Sequence, residues 1–310
     1  MPTVGHIGEN ALISRLQRFL PRTGRDVIAG IGDDCAVVRM AGGSEDLLLT
    51  SDPVIEGVHF MPTVASAAIG HKALARVVSD IAAMGGTPRW ALVDLVAPRT
   101  TPAARLEGIY RGMARLARNT GVAVVGGDTS AGSVLELHLF AVGGVPRGRA
   151  VLRSGARAGD LLYVTGALGG SQAGRHLTFA PRLREGAWLG AGPWATAMMD
   201  LSDGLATDLP RLLSMSRVGA VVDAGAIPIA TAARTPHDGR TPLEHALGDG
   251  EDFELLFTVR AGRRRLFEPA WRRAFPVVPC TMIGRIEDGP ARVRFQGGDN
   301  CRIAGFEHFR

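Results

Sequence analysis

The sequence predicts a soluble chain of two α/β (α+β) domains of similar size, and three observations carry that prediction. At 310 residues, 46% of them hydrophobic, with a mean hydropathy of +0.12, the chain can bury a sizeable core, and about 150 residues per domain argues for two. Apolar, β-branched runs alternate with amphipathic helical patterns in both halves. Between them, "PRGRAVLRSGARAGD" (146–160) breaks the periodicity with basic residues and glycine, which sets the boundary near residue 148 and the domains at 1–148 and 149–310.

The elements follow in order. "DLLLTSDPVIEGVHF" (46–60) reads as strand. "IGHKALARVVSDIAAMGG" (69–86) places Leu74, Val77, Val78 and Ile81 at i, i+3, i+4 and i+7 and stops at a glycine pair, so it reads as helix. "PRWALVDLVAP" (88–98) reads as strand. The segment 101–121 reads as a second amphipathic helix with Thr101 as N-cap, Pro102 in the first turn and Gly121 past the end. "VAVVGGDTSAG" (122–132) and "LELHLFAVGGVP" (135–146) are strands around a turn. The second half repeats the pattern. "DLLYVTG" (160–166) leads into the glycine-rich "ALGGSQAG" (167–174) and a helical segment, then "ATAMM" (195–199) and another helix. "GAVVDAG" (219–225), "DFELLFTV" (252–259) and "PCTMIGRIEDG" (279–289) complete the strands.

Composition removes several function classes. The 41 glycines and 18 prolines are spread through the chain, against disorder or repeats. Cys35, Cys280 and Cys301 are too few and too scattered for a disulfide framework or a cysteine zinc site, and they suit a reducing compartment. No apolar stretch of about 18 residues and no leader pattern is present, so a cytoplasmic protein with no membrane association is expected. The isoelectric point near 9.8 suggests nucleic acid, but arginines are dispersed and aromatics make up only 5% of the chain, so no nucleic-acid partner is expected. A single lysine, Lys72, excludes a GxxxxGK[ST] phosphate loop. Phosphate handling then falls to metal, arginine or backbone amides.

Carboxylates recur beside glycines and at the ends of apolar runs: Asp33 and Asp34, Asp52, Asp80, Asp128, Asp200 and Asp203, and Asp249, Glu251 and Asp252. Each has an ordinary reading. Ser202 or Asp203 suits the cap of a helix starting at Gly204, Asp80 lies four residues after Arg76 as a surface ion pair, and Asp33, Asp52 and Asp128 suit turns. Asp208 reads as the cap of a helix restarting before Pro210. Taken together, acids ending apolar runs emerge at one sheet rim, where α/β sites assemble. Two carboxylates about 4 Å apart repel by about 4 kcal/mol at an effective dielectric of 20, so convergence demands cations. Oxygen donors without His or Cys favour Mg²⁺, which usually bridges to phosphate.

"GIGDDCAVV", "TSDPVIEGVHF", "KALARVVSDIAAMGGTPRWALV", "VVGGDTSAG", "GRAVLRSGARAGDLLYVTG", "DLSDGLATDL" and "GEDFELLFTV", in this order, resemble thiamine-monophosphate kinase. The resemblance runs from about residue 8 to "GFEHF" near the C-terminus. It implies an N-terminal α/β domain whose strands join a second subunit's in a dimeric β-barrel, hence a homodimer, and a C-terminal α/β domain. It implies transfer of a phosphoryl group from ATP to thiamine monophosphate with several Mg²⁺ ions. The implied metal ligands are Asp34, Thr50, Ser51, Asp52, Asp80, Asp128, Asp200 and Asp203. The implied ATP contacts are Tyr110, Gly127, Asp128, Arg153 and Ser202, and the implied substrate contacts are His59, Glu251 and Phe306. The acceptor is already an anion near neutral pH, so no general base or covalent nucleophile is expected and transfer is direct and in line.

Single residues keep ordinary alternatives. His59 also reads as a packed core histidine, Tyr110 as helix packing, Phe306 as a core cap, and Arg153 competes with Arg149 and Arg157 for phosphate. "VTGALGGSQAG" reads as a structural turn before a phosphate cradle. Two departures from the family pattern stand out: Asp249 replaces a glycine beside the substrate site, and the segment near 171–182 is short by a helix. An Asp52→Asn change is expected to spare folding, because it removes a repelling charge. The competing functions are another ATP-dependent enzyme resembling aminoimidazole ribonucleotide synthetase, and a catalytically silent nucleotide- and Mg²⁺-binding regulator. No cysteine precedes Cys35 and none ends the chain, against selenophosphate synthetase and the hydrogenase-maturation relatives.

Overall fold

Strict alternation along Asp46, Leu48, Thr50 and Val54 turns one face of a long strand inward, and this strand organises the first half. In the computed structural model, residues 3–21, 24–235 and 238–297 are described. The first half contains helices α1 (Val4–Ile7) and α2 (Glu9–Gln17), and strands β1 (Val27–Ala29), β2 (Ala36–Arg39) and β3 (Glu45–Ile55). Helix α3 (Ser66–Ala83), β4 (Thr87–Ala97), α4 (Ala103–Thr120), β5 (Ala123–Ala131) and β6 (Glu136–Pro146) complete it. The sheet order is β1-β2-β3-β6-β4-β5. All pairs are antiparallel except β4 with β5, which α4 joins as a crossover unit.

The second half holds β7 (Asp160–Thr165), α5 (Leu183–Ala191), β8 (Ala195–Asp200), α6 (Leu205–Ser216) and β9 (Gly219–Asp223). It continues with α7 (Pro242–Gly248), β10 (Leu255–Arg260), α8 (Arg264–Ala274), β11 (Cys280–Glu287) and β12 (Val293–Gln296). Its six strands run in the order β12-β9-β11-β7-β10-β8, with only β12 and β9 parallel. Both sheets are mixed and open, so among the described residues a single chain forms no closed barrel.

Helix α3 lies across the inner face of the first sheet. Leu74, Val77, Val78 and Ile81 are fully buried, each contributing about 1.5–3 kcal/mol of hydrophobic stabilisation. Its partner α4 approaches closely because Gly70 and Gly112 leave no room for more: a Cβ at either would stand 1.9 Å from a backbone oxygen of the facing helix. The cap of α4 differs from expectation. Pro102 holds that position with no side-chain hydrogen bond, and Gly121 closes the helix in a left-handed conformation. The acid after β8 also behaves differently. Asp208 lies inside α6, which continues through Pro210, and its carboxylate accepts the Asp203 amide at 2.9 Å. Gly204, not Ser202 or Asp203, holds the cap position of α6.

The second half has its own aromatic core, in which Trp188, Trp194, Phe267, Trp271 and Phe275 interlock. The halves share packing at their junction: Phe179 and Phe253 stack with centroids 4.0 Å apart and belong to the core of the first half. Among the described residues, no helix is long and apolar enough to cross a membrane.

Candidate active site

The site forms where α3 meets the second half. Lys72, Arg76 and Asp80 recur every fourth residue and so share one face of a helix that is otherwise largely apolar and buried. His71 reaches the Phe179 carbonyl oxygen at 2.8 Å. Lys72 and Arg76 meet Glu251, and Ser79 donates to Asp200 at 2.5 Å. Four side chains of one helix therefore tie the two halves together.

Three carboxylates converge there. Asp34 comes from the segment before β2, Asp80 from the last turn of α3, and Asp200 ends β8; one oxygen of each lies within 4.8 Å of the others. Thr50 donates to Asp80 at 2.5 Å. Arg153, in a 3-10 turn (Arg153–Gly155), forks onto Asp34 at 2.6 and 3.2 Å, while its amide donates to Asp33 at 3.0 Å. Of the three arginines weighed from sequence, Arg153 is the one placed on this cluster.

The electrostatics show strain from like charges. Burial first, then Asp52, Asp200 and Asp34, push the Asp80 carboxyl well above its usual range, against the Thr50 hydrogen bond. Burial and then Asp34 push Asp200 up to about 7, opposed by Ser79 and Arg153. Asp33 rises to about 6 through burial and Asp34. Burial, then Asp80 and Asp34, likewise raise the thiol of Cys35, which packs beneath the cluster. An all-oxygen donor set whose acids resist ionisation side by side is chemically suited to a hard divalent cation.

The other sequence-named residues divide by face and by distance. Thr50 and Asp52 lie on the inner face of β3, while Ser51 between them is exposed on the other, so its side chain points away from the cluster. Asp52 receives a two-pronged hydrogen bond from Arg76 at 3.0 and 3.1 Å. This replaces the expected surface pair of Arg76 with Asp80. Asp203 is held by Arg211 at 2.5 Å, and Ser202 accepts the Glu251 amide on its carbonyl at 2.6 Å. His59 is buried in the turn after β3, where its Nδ1 accepts the Ile55 amide. Glu251 lies opposite it, bound to Lys72, Arg76 and Gln172.

Asp128, Gly127 and Tyr110 are not brought to the cluster within one chain. Asp128 pairs with Asp94, and Asp94 with His138, which faces Pro53. It thus sits three strands from β3 on the outward face. Gly127 lets β5 approach β4: its φ is +148° and an added Cβ would lie 1.9 Å from the Val93 oxygen. Tyr110 is half-exposed on α4. Phe306 lies outside the described residues. Asp249, the departure from the family pattern, is paired with Arg240 at 2.9 Å, lies 2.9 Å from the His245 ring, and accepts the Gly170 amide. Asp252 accepts the Gly169 amide, so carboxylates of the chain itself fill the glycine-rich turn. Sequence reasoning missed Lys72, Arg76 and Ser79 as site groups, although their polar stripe on an apolar helix was a legible signal.

Comparison with known proteins identifies the family. Residues 32–145 match the model of the AIR synthase related protein N-terminal domain, and 157–293 that of its C-terminal domain. A curated thiamine-monophosphate kinase of Rhodopirellula baltica is 40% identical over 271 residues, covering 84% of each chain. That of Salmonella typhimurium is 36% identical over 326 residues, covering 97% of this chain and 98% of the relative. A solved structure described as AaThiL complexed with AMPPCP and TMP superposes with a TM-score of 0.85 at 32% identity, covering 99% of both chains. With both domain models matched in order and similarity sustained over nearly its whole length, the chain belongs to the thiamine-monophosphate kinase family and is a phosphotransferase.

Proposed function

We propose that this protein transfers the terminal phosphoryl group of ATP directly to the phosphate of thiamine monophosphate, giving ADP and thiamine diphosphate. The observation that carries the reading is the convergence of Asp34, Asp80 and Asp200 with Arg153 at the junction of the halves. It is supported by a relative solved with an ATP analogue and TMP. Asp34, Asp80 and Asp200, with Thr50 and Asp52 beside them, would hold Mg²⁺, and Asp203 would join once Arg211 yields. Bound Mg²⁺ supplies charge neutralisation for polyphosphate oxygens that would otherwise repel the acceptor.

The chain's own groups then align the reactants. Arg153, fixed on Asp34 and by its amide on Asp33, offers its remaining N–H groups to the transferred phosphoryl oxygens. His59 and Glu251, from turns in different halves of the chain, would contact the acceptor. The acceptor phosphate has a second pKa of about 6, so it is nucleophilic without a general base. Orientation rather than proton transfer is what the protein provides.

The protein would act as a homodimer. Trp90, Leu92, Val125 and Phe140 form an exposed apolar face on the first sheet, and the same outward face carries Asp128. Association through it would close the joint barrel and bring one protomer's Asp128, Gly127 and Tyr110 to the partner's ATP.

Incubation with ATP, Mg²⁺ and thiamine monophosphate should yield thiamine diphosphate, detected as its thiochrome. ATP and acceptor binding without product would instead favour a silent regulator. Rapid quench with γ-labelled ATP should trap no phosphoprotein; a labelled protein intermediate would sink direct transfer.

A further inference from the structure

Nothing in the phosphoryl-transfer reading uses Lys72, yet the fold places the chain's single lysine where an ammonium is costly. Its side chain is fully buried, and removing such a charge from water costs several kcal/mol unless every donor is satisfied. The partners are the His59 carbonyl oxygen at 2.6 Å and both oxygens of Glu251, at 2.7 and 2.9 Å. These oxygens belong to two turns from different halves of the chain.

The Glu251 turn is fixed from its other side as well. Glu251 has φ +52°, in the left-handed region that disfavours a side chain. Its amide is held by the Ser202 carbonyl at 2.6 Å, in the loop that follows Asp200. Lys72 therefore grips the carboxylate while the backbone aims it, and the same ammonium anchors the backbone of His59.

We propose that Lys72 is a positioning residue for the acceptor: its ammonium sets the separation of the His59 and Glu251 turns, and thereby the width of the thiamine monophosphate site, without touching substrate. This rests on the assignment of His59 and Glu251 as acceptor contacts. Burial alone would raise the Glu251 carboxyl, but Lys72 and then Arg76 outweigh it and hold it below its usual range, so the carboxylate stays charged. Burial pulls Lys72 down from its usual value, with Glu251 opposing. A purely structural ion pair would affect both substrates alike, whereas a positioning role is selective.

The test is steady-state kinetics of Lys72→Met, Lys72→Arg, Glu251→Gln and the Lys72→Met/Glu251→Gln double variant in the full chain. Lys72→Met should raise KM for thiamine monophosphate at least tenfold and leave KM for ATP within twofold. Lys72→Arg should recover part of the loss, and the double variant should be no worse than Glu251→Gln. Equal changes in both KM values, additive effects, or an unchanged acceptor KM would overturn the role. Should Lys72→Met fail to fold, Lys72→Arg alone decides: it should raise KM for thiamine monophosphate at least threefold and leave KM for ATP within twofold, and equal changes in both, or an unchanged acceptor KM, overturn the proposal. Absence of thiamine diphosphate from the wild-type reaction would refute the kinase reading itself, a result distinct from any of these.

Discussion

Replacing Asp200 by Asn should stabilise the metal-free protein, and the size of the gain follows from the junction's geometry. With carboxylate oxygens within 4.8 Å, each like-charged pair costs about 3.5 kcal/mol or more at an effective dielectric of 20. The rise of Asp200 from 3.8 to about 7, caused first by burial and then by Asp34, corresponds to about 4 kcal/mol in all, and a neutral Asn removes both causes. The sign is fixed by linkage. Between about pH 4 and 7 the folded state binds more protons here than the unfolded state, so stability falls as pH rises through that window. The penalty is complete above pH 7 and absent below about pH 4. After about 1 kcal/mol is deducted for a weaker Ser79 hydrogen bond, Asp200→Asn should gain about 3 kcal/mol at pH 8, or on the order of 6 °C in Tm. At pH 4 it should gain almost nothing. Scanning calorimetry in EDTA at both pH values measures this. Saturating Mg²⁺ should remove the mutant's advantage by stabilising only the wild type. A lower Tm for the mutant at pH 8, or equal gains at both pH values, would refute the reasoning.

Asp52→Asn should behave oppositely, because Asp52 is the two-pronged partner of Arg76 and not a free repelling charge. A loss of about 2 kcal/mol in urea denaturation is expected, with Glu251 retaining part of the Arg76 charge; unchanged stability would restore the sequence-based expectation. Gly70→Ala should cost about 2–3 kcal/mol in thermal unfolding, since its Cβ would meet the Ile109 oxygen at 1.9 Å and force α3 from α4. Trp90→Glu should give monomers in sedimentation velocity and raise KM for ATP, with folding intact by circular dichroism. A monomeric variant of full activity would exclude a shared site.

The parts legible in the sequence were those with a local signature. Helix α3 announces itself through Leu74, Val77, Val78 and Ile81, and the acids at the ends of apolar runs include all three that converge. What escaped was set by partners distant in the chain. Arithmetic within one helix assigns Arg76 to Asp80, because the competing carboxylates of Asp52 and Glu251 arrive from other elements. Motif order places Asp128 with Asp34, but only strand register shows that it lies on the other face, three strands away. The direction of the Ser51 side chain was legible from alternation alone, since it sits between Thr50 and Asp52. Strands such as β1, β2 and β12 are only three or four residues long, too short for any period to emerge.

The buried lysine has a consequence for the outside of the molecule. Every other permanently cationic side chain is arginine, whose guanidinium keeps its proton beyond pH 12. Above about pH 10, where lysine-rich surfaces shed charge, the dispersed arginines here stay charged, and reagents that acetylate, methylate or couple through surface ε-amines find none on the folded surface.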